Sequence, residues 1–217
     1  MTVHYLSQNN SILNHFLAQL RDVQVQKDSM RFRKNLYRIG EIMAYEISKL
    51  LDYAPLDVIT PLDTKHTAAI QNKLVVCSIL RAGLALHEGL LSFFDDAENG
   101  FISAYRHHPN NDDYFKIKAD YKAVPVLAGK TLILADPMLA TGLSIEAVYQ
   151  KLTEAETPAQ VHIAVVIAAP EGVEYLRQIL PDSCHLWIAD IDSHLNEKRY
   201  IVPGLGDAGD LAYGVKL

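Results

Sequence analysis

The sequence is poor in cysteine, in long apolar runs and in basic charge. Its 2 cysteines, Cys77 and Cys184, both lie in apolar segments. This placement favours buried, reduced thiols over a disulfide or a metal pair, and it predicts a cytoplasmic protein. Residues 1–20 lack the uninterrupted apolar core of a targeting signal, and no later segment approaches the length of a membrane span. The net charge of −6 argues against a general nucleic-acid binder, because neutralising a phosphate backbone requires a basic surface.

The sequence also lacks an internal repeat and a low-complexity linker, so we predict a single domain over residues 1–217. Apolar runs predict buried strands at residues 74–80, 101–105, 131–135, 161–168 and 185–191. Helical spacing predicts a long helix, capped by Ser29, whose apolar face consists of Leu36, Ile39, Met43, Ile47 and Leu50. Further helices are expected at residues 84–94, 145–152 and 171–180. Strands that alternate with helices predict an α/β fold with a mostly parallel sheet flanked by helices.

A strand that ends in one acidic residue and a small-residue turn is the most informative segment. Asp136 follows the strand at residues 131–135, and residues 140–144 open the next helix. The free N–H groups and the positive end of the helix dipole there favour an anion, and the hydroxyls of Thr141 and Ser144 add donors. The layout predicts a mononucleotide site at the end of a parallel strand. Alternatively, Asp136 is a solvated turn residue that caps a helix.

Three segments, in order along the chain, resemble the motifs of one family. Residues 135–142 (Ala-Asp-Pro-Met-Leu-Ala-Thr-Gly) resemble the phosphoribosyl-diphosphate (PRPP) signature of type I phosphoribosyltransferases, in the variant of the uracil phosphoribosyltransferases. Residues 79–83 (Ile-Leu-Arg-Ala-Gly) resemble the diphosphate-binding loop of that family. Residues 200–210 (Tyr-Ile-Val-Pro-Gly-Leu-Gly-Asp-Ala-Gly-Asp) resemble its uracil-binding hood. Three ordered motifs are stronger evidence than any one alone.

The resemblance implies a type I phosphoribosyltransferase fold with a hairpin arm and a small C-terminal hood, formed mainly by about residues 192–217. The implied reaction transfers the 5-phosphoribosyl group from PRPP to uracil and gives UMP and diphosphate. The implied cofactor is Mg²⁺, held mainly through substrate oxygens, so that no dedicated protein metal site is expected. A homodimer or homotetramer and a GTP effector are also implied. Two alternatives stay open, namely a phosphoribosyltransferase for another base and a noncatalytic PRPP or nucleotide sensor.

The resemblance also assigns roles to individual residues. Arg81, Asp136 and Asp207 are the implied catalytic residues, with Arg81 on the diphosphate and Asp136 on the ribose hydroxyls near the developing positive charge. The implied PRPP-binding residues are Arg81, Arg106, Asp136, Pro137, Met138, Leu139, Ala140, Thr141, Gly142, Leu143, Ser144 and Asp207. The implied uracil-binding residues are Ile201, Gly206, Asp207 and Ala208. Backbone groups of a tight loop can complement uracil, which presents an N3–H donor between two carbonyl acceptors.

Ser78, Leu143 and the segment around Arg106 depart from the family pattern, and Arg106 is alternatively a solvated loop arginine. Ser78 replaces a common proline, which puts the rigidity of the diphosphate loop in question. Leu143 replaces a small residue and is acceptable if its φ is negative.

The polar stretch at residues 107–113 and the alternation at 114–121 predict the hairpin arm, which either closes over substrate or contacts a partner subunit. His107 and His108 favour a solvated loop over a metal site, because no third ligand has suitable spacing.

Overall fold

The structure is a computed structural model that describes residues 1–107, 116–118 and 121–216. The helices in these residues are α1 (Ile12–Arg21), α2 (Ser29–Ser48), α3 (Leu84–Leu91), α4 (Leu143–Thr153), α5 (Pro170–Ile179) and α6 (Ala208–Tyr213). The strands are β1 (Thr2–Tyr5), β2 (Tyr53–Ile59), β3 (Thr64–Ile70), β4 (Leu74–Leu80), β5 (Glu98–Ser103), β6 (Tyr105–His107), β7 (Lys116–Lys118), β8 (Lys122–Ala123), β9 (Thr131–Ala135), β10 (Met138–Leu139), β11 (Gln160–Ala168), β12 (Cys184–Ile191), β13 (His194–Leu195) and β14 (Ile201–Val202). Short 3₁₀ turns at Leu6–Gln8 and Val25–Lys27 flank α1.

One large sheet forms the centre of the molecule, in the strand order β1-β12-β11-β9-β4-β5-β8, and β10 pairs with β11 beside it. The pairings are parallel except that of β5 with β8. Apolar side chains of α1, α2, α3 and α6 pack on one face, and those of α4 and α5 pack on the other. The predicted α/β fold, a mostly parallel sheet flanked by helices, is confirmed.

The central strands β4 and β9 have the bounds that their apolar runs predict, because both faces of each strand are covered by helices. The prediction for β5 is wrong by several residues, since the strand occupies Glu98–Ser103 rather than residues 101–105. Its bounds follow from the register with β4, which pairs Val75 with Glu98 and Leu80 with Ser103. Glu98 and Asn99 are polar and exposed, so pairing rather than hydrophobicity places them in the strand.

The long helix α2 begins with a different cap from the predicted one. Asp28 is the N-cap, and its side chain accepts a hydrogen bond from the Arg31 N–H at 3.1 Å, whereas Ser29 is already helical. The apolar face is buried as predicted up to Ile47, but Leu50 lies beyond the end of the helix and is exposed. Gly40 allows a close approach to α3, because a Cβ there would stand 2.5 Å from the Leu86 carbonyl oxygen.

Two hairpins extend from the sheet. The first was not predicted from the sequence. In it, β2 and β3 pair in antiparallel register from Tyr53–Ile70 to Ile59–Thr64. Its tip is apolar and exposed, with Ile59 at 88% and Leu62 at 98% exposure. The second hairpin pairs β6 with β7, at the place predicted for the arm. The remainder of the arm, including His108, lies outside the described residues.

The two cysteines are free and buried, as their apolar contexts predict. Cys77 lies in β4, and Cys184 begins β12. Burial raises the pKa of the Cys77 thiol to about 12.

No helix in the described part of the chain combines the length and hydrophobicity needed to cross a membrane.

Candidate active site

A cleft of about 230 Å³ lies at the carboxyl ends of the parallel strands, where ligands bind in open α/β sheets. Two segments that are far apart in the sequence line it together. The turn after β9 contributes Asp136, Met138, Leu139, Ala140, Thr141, Gly142 and Ser144. The C-terminal hood contributes Ile201, Gly206, Asp207 and Ala208. The fold thus brings most of the implied PRPP-binding residues together with all of the implied uracil-binding residues.

Some lining residues were missed by sequence reasoning. They are Ala82, Ile145, Arg199, Tyr200 and Gly209. Ala82 and Gly209 belong to two of the recognised motifs, so motif membership was the available signal for them. Tyr200 begins the hood motif but was not assigned a role. Arg199 has a positive φ of 61° and precedes the motif, where no residue pattern marks it.

The turn before α4 has the geometry of an anion site. Gly142 occupies the N-cap position with a φ of 85°, a conformation that glycine adopts without a Cβ clash. Leu143 is the first residue of α4 and is not among the residues with positive φ, so the left-handed position in this turn belongs to Gly142. The Thr141 hydroxyl lies 3.5 Å from the Leu143 nitrogen. The N-terminus of α4 therefore faces the cleft, with its dipole favouring a bound phosphate.

Asp136 is the buried acid of the cleft, with 8% exposure. Its Oδ1 accepts a hydrogen bond from the Met138 N–H at 3.2 Å. The N-cap of α4 is Gly142, so Asp136 does not cap that helix and the capping alternative is wrong. Burial raises the pKa of the Asp136 carboxyl to about 7, and the hydrogen bond from Met138 only partly opposes this. A carboxyl with such a pKa in a cleft is typical of a functional site.

Arg81 lies beside the cleft rather than on its wall. Its Nη2 donates to Asp210 Oδ1 and to the Gly214 carbonyl oxygen, each at 3.0 Å. These bonds link the loop after β4 to α6 in the hood. The loop also packs against the end of β9, because a Cβ on Gly83 would stand 2.5 Å from the Ala135 carbonyl oxygen. Ser78 is fully buried below this loop, and its hydroxyl has no hydrogen-bond partner within the described structure.

Pro137 and Leu143 of the implied PRPP set do not line the cleft. Both residues belong to the turn after β9, but the cleft wall is formed by the residues next to them. The Pro137 carbonyl oxygen accepts hydrogen bonds from the Val166 and Ile167 N–H groups, which fixes the turn to β11. Arg106 lies on β6, and its side chain is outside the described part of the structure.

A charged network that was not predicted from the sequence connects the hood to α1. Arg21, at the end of α1, donates to both carboxylate oxygens of Asp192 at 2.6 and 2.9 Å. It also donates to Asp190 Oδ2 at 2.8 Å and to the Gly204 carbonyl oxygen at 2.9 Å. The Gly204 N–H donates in turn to Asp192 Oδ2 at 2.9 Å. Arg21 and Asp192 are far apart in the sequence, so no motif spacing could have indicated this network.

Asp207 caps α6 at the mouth of the cleft. Its Oδ1 accepts a hydrogen bond from the Asp210 N–H at 2.9 Å, and the side chain is exposed. Asp136 and Asp207 are the carboxylates that line the cleft. Among the residues that the structure describes, no group of three or more His, Cys, Asp or Glu side chains could hold a metal ion. The oxygen donors suit a hard cation that takes most of its ligands from substrate and water.

Sequence and structure comparisons identify the family. The family model described as uracil phosphoribosyltransferase matches residues 7–215. The chain belongs to the uracil phosphoribosyltransferase family. A uracil phosphoribosyltransferase of Porphyromonas gingivalis is 48% identical over 217 residues, which cover 100% of both chains. A second one, from Pyrococcus furiosus, is 36% identical over 213 residues and covers 97% of this chain and 89% of the relative.

Solved structures agree with this family assignment at the level of fold. A protein of Aquifex aeolicus superposes with a TM-score of 0.87 at 30% identity, with 100% of both chains covered. A hypoxanthine phosphoribosyltransferase of Staphylococcus aureus gives a TM-score of 0.51 at 10% identity, covering 80% of this chain and 85% of that one. The second match is too distant in sequence to speak for more than the fold. The predicted type I phosphoribosyltransferase fold is confirmed.

Proposed function

We propose that this member of the uracil phosphoribosyltransferase family transfers the 5-phosphoribosyl group from PRPP to uracil and releases UMP and diphosphate. The observation that carries the proposal is that the turn after β9 and the hood line one cleft. The N-terminus of α4 would then bind a phosphate, and the backbone of the hood would bind the base in the same cleft. Residues 1–217 would act as one domain, in which about residues 192–217 form the hood. The hood shares the main core of the protein, because that core includes Ile201, Leu205, Ala208 and Ala212.

Asp136 has the position and the burial needed to stabilise the transition state. Transfer of a ribosyl group passes through an oxocarbenium-like state with positive charge on the sugar. A carboxylate in a site with little water acts more strongly on such a charge than an exposed one. Burial favours the protonated acid in the ligand-free protein, and the developing charge favours the carboxylate. Asp136 would therefore hold the ribose hydroxyls and stabilise the transition state.

The hood would read uracil through its backbone. Ile201 and Ala208 are buried and line the cleft, so their backbone groups can approach the edge of a bound base. Uracil presents one donor between two acceptors, and cytosine reverses part of this pattern. An unmatched buried polar group costs about 1–3 kcal/mol, which is enough to discriminate against the wrong base.

PRPP would occupy the turn at residues 140–144 with its 5′-phosphate and the loop after β4 with its diphosphate. A bound diphosphate offers Arg81 a partner in place of Asp210, which it now contacts at 3.0 Å. Asp136 and Asp207 would support Mg²⁺, which supplies charge neutralisation at the substrate oxygens when bound. Arg106 is a further candidate for PRPP binding on the strength of the family resemblance.

The exposed β2–β3 hairpin favours a homo-oligomer of at least two chains. Its apolar side chains include Leu56, Val58, Ile59 and Leu62, all exposed in the single chain. An exposed apolar surface of this kind marks a protein contact. We propose a homodimer or homotetramer that covers this hairpin. The family resemblance also implies a GTP effector. We further propose a cytoplasmic location, because buried free cysteines fit the reducing conditions of the cytoplasm.

The direct test of activity incubates the purified protein with PRPP and uracil, with and without Mg²⁺, and follows UMP and diphosphate. Equal amounts of both products, formed only with Mg²⁺, are expected; the same assay with added GTP tests the effector. PRPP binding without product would instead identify a noncatalytic sensor. Product without Mg²⁺ would contradict the cofactor assignment.

A further inference from the structure

Helix α5 packs directly against the proposed phosphate turn. A Cβ on Gly142 would stand 2.8 Å from Tyr175 Cδ1 and 3.3 Å from Leu176 Cδ2. One turn earlier on α5, Gly172 lies so close to the Ala140 carbonyl oxygen that a Cβ would clash with it. Positions 172, 175 and 176 lie on the same face of a helix. The shape of the turn at residues 140–142 therefore depends on this face of α5.

The Tyr175 hydroxyl also makes a hydrogen bond beside the turn. It donates to Glu146 Oε2 at 2.7 Å, while the other carboxylate oxygen of Glu146 accepts from Gln150 Nε2 at 3.2 Å. Glu146 lies in the first turn of α4. The hydrogen bond to Glu146 raises the pKa of the Tyr175 hydroxyl, which keeps it protonated as a donor.

The position of the Glu146 carboxylate affects phosphate binding, because the carboxylate and a bound phosphate would compete for the same helix N-terminus. A carboxylate in the first turn is stabilised by the same dipole that favours phosphate. Helical side chains point towards the N-terminus of their helix, so a released Glu146 can swing towards the turn. Like charges there would repel each other. In the structure, both oxygens of Glu146 are instead engaged by Tyr175 and Gln150.

We propose that Tyr175 is a positioning residue for the phosphate turn. Its ring fixes the turn at Gly142, and its hydroxyl holds the Glu146 carboxylate away from the bound phosphate. The inference rests on the proposed function, in which residues 140–144 bind the 5′-phosphate of PRPP and of UMP. Tyr175 does not line the cleft, so its effect should be confined to ligands that carry the 5′-phosphate.

The test is a direct titration of UMP and, separately, of inorganic diphosphate against four proteins at one ionic strength. These are the wild type, Tyr175→Phe, Glu146→Gln and the double variant. Tyr175→Phe keeps the ring but releases Glu146, so UMP affinity should fall about three- to fivefold. Diphosphate affinity should be unchanged. In the Glu146→Gln background the same tyrosine change should have no effect, because no charge is released.

Tyr53→Phe is the matched control, since Tyr53 donates to the Ser48 carbonyl oxygen at 3.1 Å, away from the cleft. It should bind UMP like the wild type. Three results would overturn the role of Tyr175: unchanged UMP affinity in a folded Tyr175→Phe, an equal loss for diphosphate, or a loss that persists in the double variant. A wild type that binds no UMP would instead count against the proposed function, and the positioning role would fall with it.

Discussion

At the scale of single residues, Asp136 combines burial with a charge that the proposed reaction requires. Its carboxyl is 8% exposed, and its pKa is raised to about 7. Near neutral pH the ligand-free protein therefore contains both the acid and the carboxylate. Ionisation becomes favourable when positive charge develops next to it. A group with this property stabilises a transition state more than it stabilises bound substrate.

Replacing Asp136 by asparagine should test this role. The shape is retained and the charge is lost. The transition state should lose roughly 2–4 kcal/mol of stabilisation, which lowers kcat, while the affinity for PRPP changes less. The measurement is steady-state kinetics with a direct PRPP titration and circular dichroism of both proteins. A folded variant with nearly normal kcat would remove Asp136 from catalysis.

The raised pKa of Asp136 also predicts a dependence of stability on pH. Because the folded-state pKa of about 7 exceeds the usual 3.8, folding favours the protonated carboxyl. The contribution of Asp136 to stability is complete below about pH 4 and is lost as the pH rises through about 7. Asp136→Asn should therefore be more stable than the wild type at pH 8, by about 1 kcal/mol or more, and closer to it at pH 4.

Denaturant unfolding at both pH values measures this difference. Asp96→Asn, which removes an exposed carboxylate instead of a buried one, is the control. A gain in stability for Asp136→Asn that is the same at both pH values would show that burial of the carboxylate is not its cause.

The backbone conformation at Leu143 could not be predicted from the sequence. The sequence identified the turn but left open which residue takes the left-handed conformation. The structure gives that conformation to Gly142, with a φ of 85°, and starts α4 at Leu143. Leucine is tolerated there because a first helical residue has an ordinary negative φ. Backbone dihedrals of this kind depend on the packing of α5 over Gly142, which no local pattern shows.

At the scale of elements, the hood depends on α1 through one arginine. Arg21 connects Asp190 and Asp192, which lie at and just beyond the end of β12, with the Gly204 carbonyl oxygen in the hood. The Asp192 side chain is 3% exposed, so its charge needs a partner. A buried ion pair of this kind is costly to break from one side, because the remaining charge is left unpaired.

Arg21→Ala should therefore destabilise the protein by about 3–5 kcal/mol and raise the KM for uracil more than the KM for PRPP, because the hood loses its charged contact with α1. Arg177→Ala is the matched control, since Arg177 makes an exposed pair with Glu174 on α5 and should change stability by at most about 0.5 kcal/mol. Denaturant unfolding and kinetics with each substrate varied in turn measure both effects. Equal KM changes for the two substrates would contradict the anchoring role.

The sequence predicted the buried elements better than the exposed ones. Strands such as β4 and β9 are continuous apolar runs because helices cover both of their faces. The β2–β3 hairpin has no comparable signal, since Pro55 interrupts one strand and Lys65 and His66 lie in the other. Its strands are stabilised by their mutual pairing rather than by a core, and pairing between segments is not visible in either segment alone.

At the scale of the whole molecule, the parallel sheet assembles the site from distant segments. The loop after β4 and the turn after β9 meet because their strands are neighbours in the sheet. The family resemblance implied this meeting, since it assigns both segments to PRPP. It could not predict the Arg21 network or the contact of Arg81 with Asp210, because these join residues without a shared motif.

The exposed hairpin leads to a prediction about assembly. Val58→Glu places a charge on its apolar surface and should shift the protein towards the monomer, because burying an unpaired charge in an interface is unfavourable. Val23→Glu is the control, since Val23 is an exposed apolar residue outside the hairpin. Sedimentation velocity over a range of concentrations measures the change. An oligomer unaffected by Val58→Glu, or a wild type that is monomeric throughout, would contradict the proposed contact.

The cleft should select uracil for phosphoribosyl transfer. The most direct measurement determines kcat/KM with PRPP and Mg²⁺ for a panel of bases that contains uracil, cytosine, hypoxanthine and guanine. Rapid turnover with uracil alone is predicted, because the proposed backbone contacts of the hood would match only its pattern of donors and acceptors. Comparable turnover with cytosine or hypoxanthine would contradict the claim.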